Sequence, residues 1–232
     1  EGTNELVVAL RTVGSRTVWN DKVEWYLTEV TTGMTGPVHL EFTGGCYVKR
    51  GHIMTAVTPE KTITYEAVIV NNGKTDRTLV LGCDVKDGVD FGQQTFVAKA
   101  GAETVVRRTV AWPDAHLWNP DDPFLYFARF RLFAKALLGV GNELDAVQTR
   151  FGFREVKAEG HRVLLNGFPV IMRRKTEHPG EQFATKAEIL AGFEALRRDG
   201  IVALRVRWTE QERIADAADE FGMMLEPCMY AG

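Results

Sequence analysis

The chain has 232 residues, with 28 basic and 31 acidic side chains and a formal net charge of −3. Its 45% hydrophobic and 25% charged residues describe an ordinary globular protein of one or two domains. That balance excludes nucleic acid and an anionic membrane surface as main partners, and no run reaches the ~20 apolar residues of a membrane span.

The first ten residues, "EGTNELVVAL", lack the basic region and long apolar core of a signal peptide, and also an initiator Met. A processed or cut-out start is expected. From Leu6 to about Arg150 the pattern is that of β-strands. "KVEWYLTEV" and "PVHLEF" alternate apolar and polar residues, the mark of a half-buried strand. Then come "CYVKRGHIMTAV", "TITYEAVIVNNG", "DRTLVLGCDV", "QQTFVAKAG", "ETVVRRTVAW", "FLYFARFRLFAKALL" and "ELDAVQTRF". Turn residues separate them at Asn71-Asn72-Gly73, Lys86-Asp87-Gly88 and Ala100-Gly101. Short strands at regular spacing predict a β-sandwich or barrel. The loop "WPDAHLWNPDDPFLY" holds three prolines within eleven residues, so it stays outside the sheets. Trp118 within it is expected to pack the loop onto the sandwich.

After Arg154 the character changes. "HRVLLNGFPVIMR" predicts a tight hairpin about Asn166-Gly167. "TKAEILAGFEALRRDG" predicts a helix opened by a Thr185/Glu188 capping box and closed by Gly200, with Ile189, Phe193 and Leu196 on one face. "IVALRV" reads as a buried strand. "TEQERIADAADEFG" reads as a second helix with Thr209 and Glu212 at its start and Gly222 at its stop, and "MMLEP" as a further strand. Strand, helix, strand, helix, strand demands a parallel sheet. Cys46, Cys83 and Cys228 lie far apart and predict free thiols, not a disulfide framework or a zinc site, which favours a reducing compartment.

Three phrases carry a family resemblance. Leu117, Trp118, Pro120, Pro123, Leu125 and Tyr126 match a loop of the form L-W-x-P-x-x-P-x-L-Y. Arg150 to Arg154 match R-F-G-F-R. Leu165, Asn166, Gly167, Pro169, Val170, Arg173 and His178 match L-N-G-x-P-V-x-L-R-G-V-N-x-H. Together they resemble glycoside hydrolase family 2, the β-galactosidase and β-glucuronidase family. "TGMTGPVHLE" and "ADEFGMML" add weaker matches. The resemblance implies a mainly β chain: an immunoglobulin-like β-sandwich followed by an incomplete (β/α) barrel start of βαβαβ form. Residues 1–44 would close a preceding sugar-binding-type sandwich, 45–152 form the immunoglobulin-like domain, and 153–232 begin a (β/α)8 barrel. The chain departs from R-G-V-N, reading Arg173-Arg174-Lys175-Thr176. It keeps Arg205 of N-x-x-R-x-S-H-Y-P but reads "VALRVRWTE" there.

Retaining glycosidases use two carboxyl groups about 5–5.5 Å apart. The resemblance places both as glutamates at barrel strands four and seven, past the strands predicted here, so no catalytic residue and no cofactor or metal is expected in this chain. Asn4-Glu5 and Asn142-Glu143 are expected to be surface pairs. Substrate contact is assigned to Arg205, His178 and Trp208. Against these stand an Arg205 paired with a neighbouring acid and a simple loop histidine at position 178, while Arg173, Arg174 and Lys175 form either a solvated rim or an anionic-sugar site. Glu226 either reaches the pocket or is a solvated carboxylate. Trp25 and Trp112 are expected in the core. The partner implied for the intact parent is a carbohydrate, and incomplete domains predict self-association. A different class of reading is a non-catalytic β-sandwich module that binds carbohydrate or a protein.

Overall fold

The computed structural model describes residues 41–176, 185–207 and 211–228. The first predicted strand run, the part of "PVHLEF" up to Leu40, Trp25, the Asn4-Glu5 pair, His178, Trp208 and Thr209 lie outside them, while Glu41 and Phe42 at the end of "PVHLEF" are described and form no strand.

Seven antiparallel strands form two sheets. One holds β1 (Cys46–Ala56), β2 (Thr62–Asn71) and β5 (Ala102–Ala111) in the order β1-β2-β5. The other holds β3 (Arg77–Val85), β4 (Asp90–Ala98), β6 (Tyr126–Lys135) and β7 (Val140–Phe151) in the order β4-β3-β6-β7. Every one of these strands corresponds to a run read from the sequence. Inward residues of both sheets build one core, including Ile63, Tyr65, Ile69, Leu79, Leu81, Phe91, Phe130 and Leu132. At its centre Tyr65 stands edge-on to Phe91 and Phe130, and its hydroxyl donates to Gln94 Oε1 at 3.1 Å. That bond satisfies a phenol that burial would otherwise penalise. Cys46 and Cys83 are buried free thiols within this core, as expected.

At one end of the sandwich the loop before β6 is tied down by Tyr126, whose hydroxyl accepts the backbone N–H of His116 at 2.8 Å. Trp112, Phe124 and Phe151 pack around Tyr126, and Phe153 stands edge-on to Trp112. Trp112 is thus at the core edge, as its strand position implied.

Beyond β7 the chain forms a small meander of β8 (Val156–Glu159), β9 (Arg162–Leu165) and β10 (Phe168–Val170), with order β10-β9-β8. Asn166 and Gly167 have φ of 53° and 84°, the left-handed pair that a two-residue hairpin requires. Then β11 (Arg174–Thr176), α1 (Lys186–Arg198), β12 (Ala203–Arg207), α2 (Gln211–Phe221) and β13 (Met224–Cys228) build a parallel sheet of order β11-β12-β13. The first parallel strand is therefore Arg174–Thr176. The "FPV" run before it belongs to the antiparallel meander. The Thr185/Glu188 capping box opens α1 with both reciprocal bonds made. Phe193, Leu196, Leu204, Val206, Ile214, Ala217 and Ala218 form the core between helices and sheet.

Trp118 departs from its expected place. It does not enter the sandwich core. It is fully buried in a separate cluster with Leu165, Ala203 and Met224, wedged against the starts of β12 and β13. Its indole N–H donates to Asp219 O on α2 at 2.8 Å, and its backbone carbonyl accepts from Asn166 Nδ2 at 3.0 Å. Loops that carry a large aromatic bury it where the neighbouring element leaves room. Here the sandwich end is already filled by Trp112, Phe151 and Phe153.

The phrase Arg150–Arg154 explains the rest of the joint. Phe151 and Phe153 point into the sandwich core. Gly152 lies against the Trp118 ring, where an added Cβ would come within 2.8 Å of it. Arg154 stacks over that ring at 4.5 Å, and Arg150 reaches α2, donating to Glu220 Oε1 at 2.6 Å and Asp216 Oδ1 at 2.8 Å. Period two along an extended chain puts the two aromatics on one side and the two arginines on the other.

Candidate functional site

The parallel sheet has two unlike faces. Leu204, Val206 and Leu225 belong to the cluster beneath the helices. Because side chains alternate along a strand, Ala203 and Arg205 on β12, and Met224 and Glu226 on β13, share the opposite face. The start of that face is closed by Trp118 packed on Ala203 and Met224. Two residues further along, Arg205 and Glu226 stand side by side in register, with Thr176 level with Arg205 on the other side.

Arg174, one step earlier on β11, sends Nη1 across to Glu226 Oε2 in a close ion pair. Arg205 Nε lies 3.8 Å from Glu226 Oε1, outside hydrogen-bond range. That Nε atom is itself buried and makes no hydrogen bond among the described residues. The three side chains remain 50%, 40% and 35% exposed for Arg174, Arg205 and Glu226. The result is a half-open polar step above an apolar floor. It can present guanidinium N–H groups to oxygen atoms, but it holds only one carboxylate and so no acid pair. No group of acids, histidines and cysteines suited to a metal ion occurs among the described residues.

Arg205 is therefore placed as the third residue of the five in β12, in mid-strand and not at its end. The pairing with a neighbouring acid, one of its two readings, is present. Arg174, half exposed as a rim residue would be, also pairs with Glu226. His178 and Trp208 are outside the described residues. Glu143 of the Asn142-Glu143 pair is exposed on β7, as expected of a surface residue.

Sequence reasoning missed the groups that hold this face to the sandwich. Arg197 on α1 donates to Pro120 O and Phe221 O, each at 2.8 Å, and stacks over Phe221. Asn166 does more than turn the hairpin: its Oδ1 accepts from Glu155 N at 2.9 Å while its Nδ2 bonds the Trp118 carbonyl. Lys186 adds an ion pair to Glu220 at 2.5 Å. Only the R-F-G-F-R and L-N-G phrases signalled these links, and they did so as motifs without a visible task. Burial pushes the Asp219 carboxyl above its ordinary value, against the pull of Arg154 and Arg150. Glu220 is held below its ordinary value, chiefly by the hydrogen bond from Lys186.

Residues 46–154 match the family model described as glycosyl hydrolases family 2. Over those residues the chain is similar to that family. A β-galactosidase of Psychromonas ingrahamii is 24% identical over 141 residues, covering 59% of this chain and 13% of its own length. Among solved structures, a family 2 β-galacturonidase from Eisenbergiella tayi matches with a TM-score of 0.69 at 20% identity, covering 80% of this chain and 33% of that one. A Bacteroides uniformis β-glucuronidase matches with a TM-score of 0.64 at 19% identity, covering 79% of this chain and 24% of that one. At such identities the structural matches establish the fold alone. The chain spans about an eighth of the Psychromonas relative and up to a third of these structures.

Proposed function

We propose that the chain is a segment of a retaining family 2 glycosidase, and that these 232 residues alone are inactive. In this reading residues 1–44 end a preceding sandwich, 45–152 form an immunoglobulin-like spacer, and 153–232 supply the first strands of a (β/α)8 barrel. The observation that carries it is the helix-free face of the β11-β12-β13 sheet. It begins with an apolar floor at Ala203 and Met224 and turns polar at Arg205 and Glu226, each the middle residue of its strand. Barrel enzymes work at the C-terminal ends of their strands, which supports assigning sugar contact to His178 and Trp208, on the segments that follow β11 and β12, with Arg205 two residues short of the end of β12.

A glycosidase of this class needs two carboxyl groups in reach of one bond. Glu226 is the acid on the polar step, and both of its oxygens face arginines. A single carboxylate so engaged cannot serve as both proton donor and nucleophile. The chain's part is to position the barrel and line one side of the sugar pocket.

The test is turnover of nitrophenyl β-galactoside, β-glucuronide and β-galacturonide. The 232-residue chain is expected to give none, and a protein extended by the coding sequence that follows Gly232 is expected to hydrolyse one of them with retention. Turnover by the chain alone refutes the reading. An inactive extended protein whose sandwich binds glycans would favour the carbohydrate-binding module instead.

A further inference from the structure

We propose that Asn72 is a self-modification site, whose carboxamide closes onto the Gly73 nitrogen and ends as aspartate or isoaspartate, and that the Asn71 side chain sets the rate by holding that nitrogen.

The chain has two Asn-Gly pairs, Asn72-Gly73 and Asn166-Gly167. Glycine bears no side chain to keep a neighbouring carboxamide carbon away from its backbone nitrogen. The reaction needs only the chain and water. The Gly73 nitrogen gives up its proton and attacks Asn72 Cγ. The new N–C bond forms, the bond from Cγ to the amino group breaks, and that group leaves with the proton as ammonia. Water then opens the cyclic imide at one carbonyl or the other. One opening gives aspartate. The other gives isoaspartate, whose main chain runs on through Cβ and is longer by a methylene.

The two pairs differ in what holds their reacting atoms. Asn166 is buried, and both ends of its carboxamide are taken, by the Glu155 N–H and the Trp118 carbonyl. Asn72 is exposed, and its carboxamide makes no hydrogen bond among the described residues. Its carbon is free to react, so only the attacking nitrogen is restrained. The Gly73 N–H donates to Asn71 Oδ1 at 2.9 Å, which keeps the proton on that nitrogen. Asn71 is itself fixed. It is fully buried, and its Nδ2 donates to Thr75 O and Ala98 O, each at 3.0 Å. The same contact dictates the glycine, since a Cβ at position 73 would lie 2.9 Å from Asn71 Oδ1. The clamp that slows the reaction thus requires the residue that permits it.

Conversion has a structural consequence. The Asn72 N–H donates to Gly45 O just before β1, and Gly73 O accepts from the Gly101 N–H. These bonds pin the crossing from β2 in one sheet to β3 in the other. An added methylene between Asn72 and Gly73 shifts one bond against the other, so isoaspartate loosens this end of the sandwich.

The test incubates the full chain at mildly alkaline pH, folded and in urea. Peptide mapping by mass spectrometry follows both pairs, and an L-isoaspartyl methyltransferase labels the isoaspartate. In urea the two pairs are expected to convert at similar rates. In the folded chain Asn72 should convert about tenfold more slowly than in urea, a factor equal to about 1.4 kcal/mol and so to one hydrogen bond. Asn166, with two bonds to break, should slow about a hundredfold or more. Asn71→Ala should bring Asn72 up to its rate in urea while Asn166 stays slow, a pattern that unfolding of the variant would not produce.

A folded Asn72 that stays intact, or reacts as slowly as Asn166, would overturn the site. A folded Asn72 that reacts as fast as in urea would overturn the clamp. An unchanged Asn72 rate in Asn71→Ala, with Asn166 still slow, would overturn it too. Should Asn71→Ala unfold and release both pairs together, the comparison of the unsubstituted chain folded and in urea decides alone.

Discussion

Replacing Trp118 by Ala should release the parallel sheet and its helices while the sandwich stays folded. The ring is fully buried, yet it lies in a cluster with Leu165, Ala203 and Met224 and not in the core of the two antiparallel sheets. A Trp buries about 150–250 Å², which at about 25 cal/mol per Å² amounts to about 4–6 kcal/mol. A compact unfolded reference lowers this to about 3–5 kcal/mol, the range typical of Trp→Ala in a packed site. The bond from the indole to the Asp219 carbonyl is lost as well, although that carbonyl sits in the last turn of α2, where water can replace the donor. Each 1.4 kcal/mol is tenfold in an equilibrium constant, so amide protection in β12, β13 and α2 should fall by roughly two to three decades. The assay is native-state hydrogen exchange resolved by segment. Strands β2, β3 and β6 should keep their protection. An equal fall in those strands would refute the argument by showing one shared core. No fall in β12 and β13 would refute it by showing that the wedge carries no energy.

Gly222→Ala should unfold the same region. Gly222 has φ of 85°, and an added Cβ would collide with the backbone carbonyl of Pro120. Strain in the left-handed region alone costs about 1–2 kcal/mol, so the melting temperature should drop by several degrees, whereas Gly192→Ala, in open space within α1, should raise it slightly because Ala favours a helix interior by about 0.5–1 kcal/mol. The acid response of the joint has two opposed parts. Glu220 is held below its ordinary value of 4.5, so the stability it contributes is present above that pH and is lost as pH falls through its folded value. Asp219 is raised above its ordinary value of 3.8, so its carboxyl costs stability as pH climbs through its folded value. Asp219→Asn should therefore raise the urea midpoint at neutral pH and change little at pH below 3.8, whereas Glu220→Gln should lower it at neutral pH. Identical pH profiles for both variants would contradict the assignment.

Much of the architecture was legible because it is written in local pattern. Short strand-like runs separated by turn residues marked all seven sandwich strands, the Asn166-Gly167 pair marked its hairpin, and Thr185 with Glu188 marked the start of α1. Each of these is decided by residues within a turn or two of one another. The family phrases were legible as spelling, but their tasks were not. R-F-G-F-R became intelligible only when its two sides were seen to face a sandwich core and a helix some 66–70 residues away in sequence. The candidate site was half legible. Arg205 was singled out through its strand and its motif, whereas the pairing of Arg174 was not, because three consecutive basic residues look alike until a strand register assigns them to faces.

By itself, then, the sequence determined which segments extend, which coil, and where the chain turns. Those choices depend on backbone preference and on the period of apolar side chains. Only the tertiary structure decided that Trp118 serves the parallel sheet and not the sandwich, and that Glu226 lies between two arginines. Both are matters of distant residues competing for the same space and charge. The alignment of β11, β12 and β13 resolves that competition, and nothing within reach of a local window contains it.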